Sequence, residues 1–181
     1  MMRRSPIARF VSLVGIVAAC AVAALPLRAE TIDRVLAVVA GQIITLTDVT
    51  AASDLALESP DPGADPVRSV LSKLIDRELM LAEVDRYAPP EPSVEAVDRE
   101  LAAVKRRFSS PQAFDAALAR SGIDDKHVRE TLRQNLRIAA YLDQRFAATA
   151  GERRRTLVDE WVAGLRRRAD IIDLYLAAAR N

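Results

Sequence analysis

Cysteine is almost missing from this chain: Cys20 is the only one. No disulfide can close within it, and no thiolate zinc set can be assembled. Histidine is equally scarce. His127 stands alone among Asp125, Lys126 and Arg129 in the first turn of an expected helix, and it reads as a solvated residue. A single histidine without cysteines makes no zinc site unless carboxylates assist. Aromatics are 4% of the chain and do not interleave with its basic clusters, which removes the stacking platform of a single-strand nucleic-acid binder. There is no glycine-rich phosphate loop and no nucleophile elbow. No cofactor, metal or catalytic set is therefore expected. Carboxylates are plentiful but fall at helical spacing. Asp76, Glu78 and Glu83 lie beside Arg77 and Arg86, as in ordinary surface pairing.

What is present begins with an export signal. Arg3, Arg4 and Arg9 form a positive start, an apolar run spans Phe10 to Leu25, Pro26 breaks it, and Leu27-Arg28-Ala29 ends in a small residue. This three-part pattern predicts a cleaved leader over residues 1–29, cut between Ala29 and Glu30. The run is short for roughly 30 Å of hydrocarbon, so a retained anchor is the weaker reading. Arg3-Arg4 is a twin arginine, but Ser5-Pro6-Ile7 does not continue that consensus. Val17-Ala18-Ala19-Cys20 resembles a lipoprotein box, yet the chain stays apolar after Cys20, so lipid anchoring there is a minority reading. The expected location is the periplasm, with no stable membrane span in the mature form.

Cleavage would change the charge. Of 26 Lys plus Arg, four (Arg3, Arg4, Arg9, Arg28) lie in the leader, which carries no acid; 22 remain against 25 Asp plus Glu, a net of about −3. No excess positive charge draws the mature chain to nucleic acid or anionic lipid. Lys105-Arg106-Arg107, Arg153-Arg154-Arg155 and Arg166-Arg167-Arg168 read as solvated faces, the first and third also placing positive charge near helix C-termini.

The rest of the chain, 30–181, reads as one domain of about 150 residues, enough for one apolar core. Asp33 to Thr45, DRVLAVVAGQIIT, predicts a short hairpin with its turn at Ala40-Gly41 or Gly41-Gln42. Thr47 is a candidate cap for a helix to about Leu57. Residues 58–66 form a Pro- and Asp-rich loop, and Asp65-Pro66 opens a helix to about Tyr87 that is apolar on more than one side and so central to the core. After Pro89-Pro90-Glu91-Pro92, Ser93 caps a helix on which Val94, Val97, Leu101, Val104 and Phe108 step by three and four. A short helix follows from Ser110-Pro111 to Ser121-Gly122 with Phe114, Ala117 and Leu118. Asp124 caps a long helix to about Phe146, with Val128, Leu132, Leu136, Ala139, Leu142 and Phe146 on one face. Thr149-Ala150-Gly151-Glu152 resembles a capping box before a last helix burying Leu157, Val158, Trp161, Val162 and Leu165. Trp161 and Phe108 are assigned to the core. Ala169 to Leu176, ADIIDLYL, is the natural third strand for the hairpin, which is marginal alone. The fold class is mainly α: five to six helices with a small sheet made of the N-terminal hairpin and the C-terminal strand.

Several of these segments resemble one family. Ile32 to Val49, IDRVLAVVAGQIITLTDV, is similar to the opening of the SurA-like periplasmic chaperones, a "VAVVNG…IT" hairpin followed by a capped helix. Leu74 to Leu81, LIDRELML, resembles that family's "LIDEKL" helix, residues 93–146 follow its helix, short helix and long helix, and Trp161 to Leu176 looks like its returning helix and strand. The resemblance implies an ATP-independent module that binds unfolded or extended polypeptides, with outer-membrane proteins as clients. Val97, Leu101, Val104 and Phe108, with Phe114 and Leu118 opposite, are the candidate peptide-binding residues. Two departures stand out. Ala40 sits where the family often has Asn. The parvulin-type prolyl isomerase domain usual between the long helix and the C-terminal helix has no room between Phe146 and Glu152, since such a domain needs roughly 90–100 residues. Its catalytic histidines and cysteine have no counterpart. A binding module is therefore expected rather than an enzyme. A reduced prolyl isomerase and an envelope adaptor without holdase activity are the alternatives, and loss of the inserted domain would expose surface favouring a homodimer.

Overall fold

The computed structural model describes residues 33–175. The expected leader, its cleavage pair Ala29–Glu30, Cys20, and the far end of the expected last strand at Leu176 lie outside the described residues. The elements are β1 (Val35–Val39), β2 (Gln42–Thr45), α1 (Leu46–Asp54), α2 (Pro66–Tyr87), α3 (Val94–Lys105), α4 (Pro111–Ser121), α5 (Asp125–Arg145), α6 (Gly151–Arg168) and β3 (Ile171–Asp173). The protein is mainly helical, with one antiparallel three-stranded sheet in the order β2-β1-β3. Among the described residues no helix is long and apolar enough to cross a membrane.

The hairpin turns at Ala40-Gly41, closed by Val39 opposite Gln42. Both turn residues have positive φ, 50° and 83°, as a type I′ turn requires. Glycine adopts this freely; an alanine Cβ crowds the following carbonyl, costing about 1–2 kcal/mol. Asn tolerates the conformation far better. Ala40→Asn is therefore expected to stabilise the protein by about 0.5–1 kcal/mol. Urea unfolding checks it: the midpoint rises with the slope unchanged, and no rise overturns the turn assignment.

β2 runs straight into α1, and this corrects the expected cap. Thr45, not Thr47, is the N-cap: its hydroxyl accepts from the Asp48 N–H at 3.3 Å, and the Asp48 carboxylate accepts from the Thr45 N–H at 2.8 Å. Asp48 is three residues after Thr45, the spacing of a reciprocal capping box. Thr47 donates its N–H to Asp33 instead. The helix also ends at Asp54 rather than near Leu57, because the Leu57 and Glu58 N–H groups turn back onto the Ala52 carbonyl. The expected capping box at Thr149–Glu152 is absent. Ala150 is the N-cap of α6 and has no side-chain bond, while the Thr149 N–H is held by the Phe146 carbonyl.

α2 is the central helix. One side, with Val70, Leu71, Ile75 and Leu79, packs under Leu36, Ala37, Val39 and Ile44 of the sheet, joined by Val49 and Ala52 of α1 and Leu165 of α6. Further along, Leu81 and Val84 meet Ile138 and Tyr141 of α5. Of the residues expected on the packing faces, Val94 and Ala139 are exposed instead. Val94 opens its helix beyond the core edge, and Ile138 and Tyr141 take the inward face where Ala139 was expected.

β3 pairs with β1 (Ala37 with Asp173, Val38 with Ile172, Val39 with Ile171) and is shorter than the expected strand. The Leu174 N–H still reaches the Leu36 carbonyl at 2.9 Å. β3 is also tied to the start of α2. Arg68 pairs with Asp173, and the Tyr175 hydroxyl donates to Asp65 at 2.6 Å while the other Asp65 oxygen caps α2. The Tyr175 hydrogen bond is the main influence holding the Asp65 carboxyl below its ordinary range.

Candidate functional site

The six residues expected to line a peptide groove do converge, but into closed core. Val97, Leu101, Val104 and Phe114 are buried, with Leu55 from the turn after α1, Ala117 of α4, and Val128 and Leu132 of α5. Phe108 and Leu118 are half-buried against the same cluster, and the Phe108 and Phe114 rings meet edge-on at 5.4 Å. α3 packs on α5 and α4 packs on α1, and their apolar faces meet in one shared core cluster. The three-four repeat reports burial, and a buried seam and a solvent-lined groove share that repeat.

The open cleft lies elsewhere, at the seam between the sheet-side core and this helical core. Its volume is about 240 Å³. Three helices contribute to it with the same spacing. α1 gives Asp48, Ala51 and Ala52; α2 gives Leu74, Arg77 and Glu78; α5 gives His127, Glu130, Thr131, Gln134 and Asn135. Each set recurs at three and four residues, one helical face apiece. Gln42, Ile43 and Ile44 of β2 form the remaining wall, with Leu57, Glu58 and Ile123 from the connections. Apolar side chains share the lining with amides and carboxylates, the mixture a binding cleft needs.

Arg77 anchors the cleft. Its side chain is only 12% exposed. The guanidinium donates to Asn135 at 2.8 Å, to Gln134 and to Glu78, so one planar fork joins α2 to α5. This overturns the surface reading of Glu78, whose side chain is 17% exposed. Burial pushes its carboxyl above the ordinary range, opposed by the Arg77 charge and hydrogen bond. Glu83 pairs with the exposed Arg86, though its own side chain is 19% exposed, and Asp76 is part-shielded against Arg166, which also donates to the Ser72 carbonyl.

Glu58 is the unusual group. It is half-buried, and burial raises its carboxyl pKa against the pull of Lys73 and Arg77. The other cleft carboxylates have partners within bonding distance: Asp48 has Thr45, Glu78 has Arg77 and Glu130 has Arg133. Among the described residues Glu58 has neither ion pair nor side-chain hydrogen bond. With their oxygens turned to Arg77, Gln134 and Asn135 keep their NH₂ groups to donate elsewhere. His127 stands exposed at the rim. Among the described residues no three His, Cys, Asp or Glu side chains gather as a metal set.

Sequence reasoning missed this cleft because its signal is a polar helical face, which reads as solvent-facing. The one pointer was Arg77-Glu78 embedded in the otherwise apolar LIDRELML. No protein-family model matches the chain, and no curated protein matches it.

Proposed function

We propose that this chain is an exported, SurA-like chaperone module of the periplasm that binds unfolded polypeptides in extended form without ATP, with outer-membrane proteins as clients. The observation that carries the reading is the cleft between β2, α1, α2 and α5, whose lining mixes apolar side chains with hydrogen-bonding groups. Such a lining suits a polypeptide backbone with mixed side chains better than it suits one compact small molecule. The absence of a phosphate loop from the sequence agrees with ATP independence. α5 and α6 are joined by five residues, 146–150, which supports binding rather than prolyl isomerisation at this point of the chain.

The test is suppression of aggregation. An unfolded β-barrel protein is diluted from urea with and without the purified chain, and light scattering is followed. Scattering is expected to fall as the chain approaches stoichiometric excess, with no acceleration of a proline-limited refolding reaction in parallel. Unchanged scattering overturns the holdase reading and leaves the envelope adaptor. Faster proline-limited refolding overturns the reading in favour of an enzyme.

A further inference from the structure

We propose that the bound segment enters as an added β-strand on the free edge of β2, pairing with Ile43 and setting a Lys or Arg side chain against Glu58. This rests on the peptide-binding reading above and specifies its geometry and its preferred ligand.

Among the described residues the strand order leaves β2 with β1 on one side only. The two-residue turn then decides which backbone groups are free. In such a hairpin the pair flanking the turn, Val39 and Gln42, exchanges hydrogen bonds, and bonded and non-bonded pairs alternate from there. Val38 with Ile43 is a non-bonded pair and Ala37 with Ile44 a bonded one. The Ile43 N–H and C=O therefore point away from β1. Thr45, the next residue of the same parity, has its N–H taken by Asp48. The edge thus offers one donor and one acceptor on a single residue, which is what one residue of an added antiparallel strand pairs with.

The cleft runs along this edge. Successive strand residues point to opposite faces of a sheet, yet Gln42, Ile43 and Ile44 all line it. A cavity over one face would touch every second residue; only one beside the strand touches all three. Across it, the free NH₂ groups of Gln134 and Asn135 are placed to meet carbonyls on the far side of an inserted segment. The outer sheet face supplies an apolar row. Ile43, Val38 and Ile172 are cross-strand neighbours, and Ile43 and Ile172 are 60% and 50% exposed. An added strand would lay an apolar side chain beside Ile43 and extend that row.

Charge selects the occupant. Four carboxylates line the cleft against one arginine, and that arginine is already held by Glu78, Gln134 and Asn135. Glu58 is half-buried, and the two cations that act on it, Lys73 and Arg77, are bonded to Asp61 and Glu78 instead, so a cation from the ligand could pair with it directly. A segment with a basic residue among branched apolar ones is complementary; an acidic segment is not.

The probes are labelled octapeptides of alternating Thr and Val with one central Lys, the same peptide with Glu in place of Lys, and two Lys peptides N-methylated on backbone residues of opposite parity. Fluorescence anisotropy with the purified chain is expected to show the Lys peptide binding at least about tenfold tighter than the Glu peptide. Glu58→Gln is expected to erase most of that preference. N-methylation of one parity is expected to abolish binding and the other to leave it, because only alternate N–H groups face the β2 edge. Ile43→Pro removes the edge donor at a position where proline is tolerated, and is expected to weaken every peptide at least about tenfold. The N-methyl pair carries the same test on the unmodified protein should that variant not fold. Equal binding of both N-methyl peptides, or no preference for Lys over Glu, overturns the proposal. Self-association of the chain that the Lys peptide does not compete overturns it too, assigning the edge to a second copy. Aggregation suppression that persists in folded Ile43→Pro sinks the added strand and keeps the chaperone reading. Patterned peptide binding without aggregation suppression sinks the chaperone reading and keeps the added strand.

Discussion

Phe114→Ala is expected to lower the stability of the folded protein by about 3–5 kcal/mol. The ring is 2% exposed at the centre of the helical core, stacked edge-on with Phe108 and flanked by Leu101, Val104, Ala117 and Val128. Removing it forfeits both the transfer of the ring from water and the contacts around the space left behind. That loss is large against a total of about 5–15 kcal/mol for a typical domain. Urea unfolding measures it, and the same experiment separates two roles. A groove residue would leave stability nearly intact and weaken peptide binding; a core residue unfolds the protein first. A loss below about 1 kcal/mol would overturn the core assignment.

The second large effect is expected at Arg77. Arg77→Ala leaves Glu78 shielded without its partner and strips Gln134 and Asn135 of their common donor. Orphaning one member of a fully buried pair costs about 3–5 kcal/mol. Here the side chains are 12% and 17% exposed, so solvent screens part of it, and about 2 kcal/mol is expected at neutral pH. The loss carries a pH signature. Burial already holds the Glu78 carboxyl above its ordinary range, so the folded state binds its proton more tightly than the unfolded state does. Stability from such a group is complete below the unfolded value and is lost as pH rises through the folded one. Without Arg77 the folded value climbs further. The gap between variant and wild type should therefore be smallest near pH 4 and widen towards pH 7. Urea midpoints at both ends check this, and a gap independent of pH would show that Glu78 is not the group left exposed to the loss.

Most of the fold was legible because its signals are local. Asp65-Pro66, Ser93, Ser110-Pro111 and Asp124 each start a helix as their chemistry implies, and Ser121-Gly122 ends one, with Gly122 at φ 71°. That β3 joins the hairpin was legible too, since a two-stranded hairpin needs a third partner and ADIIDLYL is the remaining β-branched segment; its pairing with β1 rather than β2 was not. Errors arose where two readings share one pattern. Thr45 and Thr47 are both good caps, and only the three-residue spacing to Asp48 separates them. The candidate site was the harder case. Val97, Leu101, Val104 and Phe114 have the spacing of a groove and of a core, and whether a third helix covers them is a long-range fact. Conversely, the Glu130-Thr131-Gln134-Asn135 face looks solvated until α2 brings Arg77 to it.

The place of β1 bears on when this protein can become itself. β1 is the middle strand, yet its second neighbour, β3, is the last described element of the chain. An emerging polypeptide offers the hairpin early and holds one side of β1 unsatisfied until Ile171–Asp173 has followed the six helices. The Arg68–Asp173 and Tyr175–Asp65 ties wait on the same segment. Closure of the sheet thus waits on Ile171–Asp173, and a chain cut short before Ile171 leaves one edge of β1 unpaired.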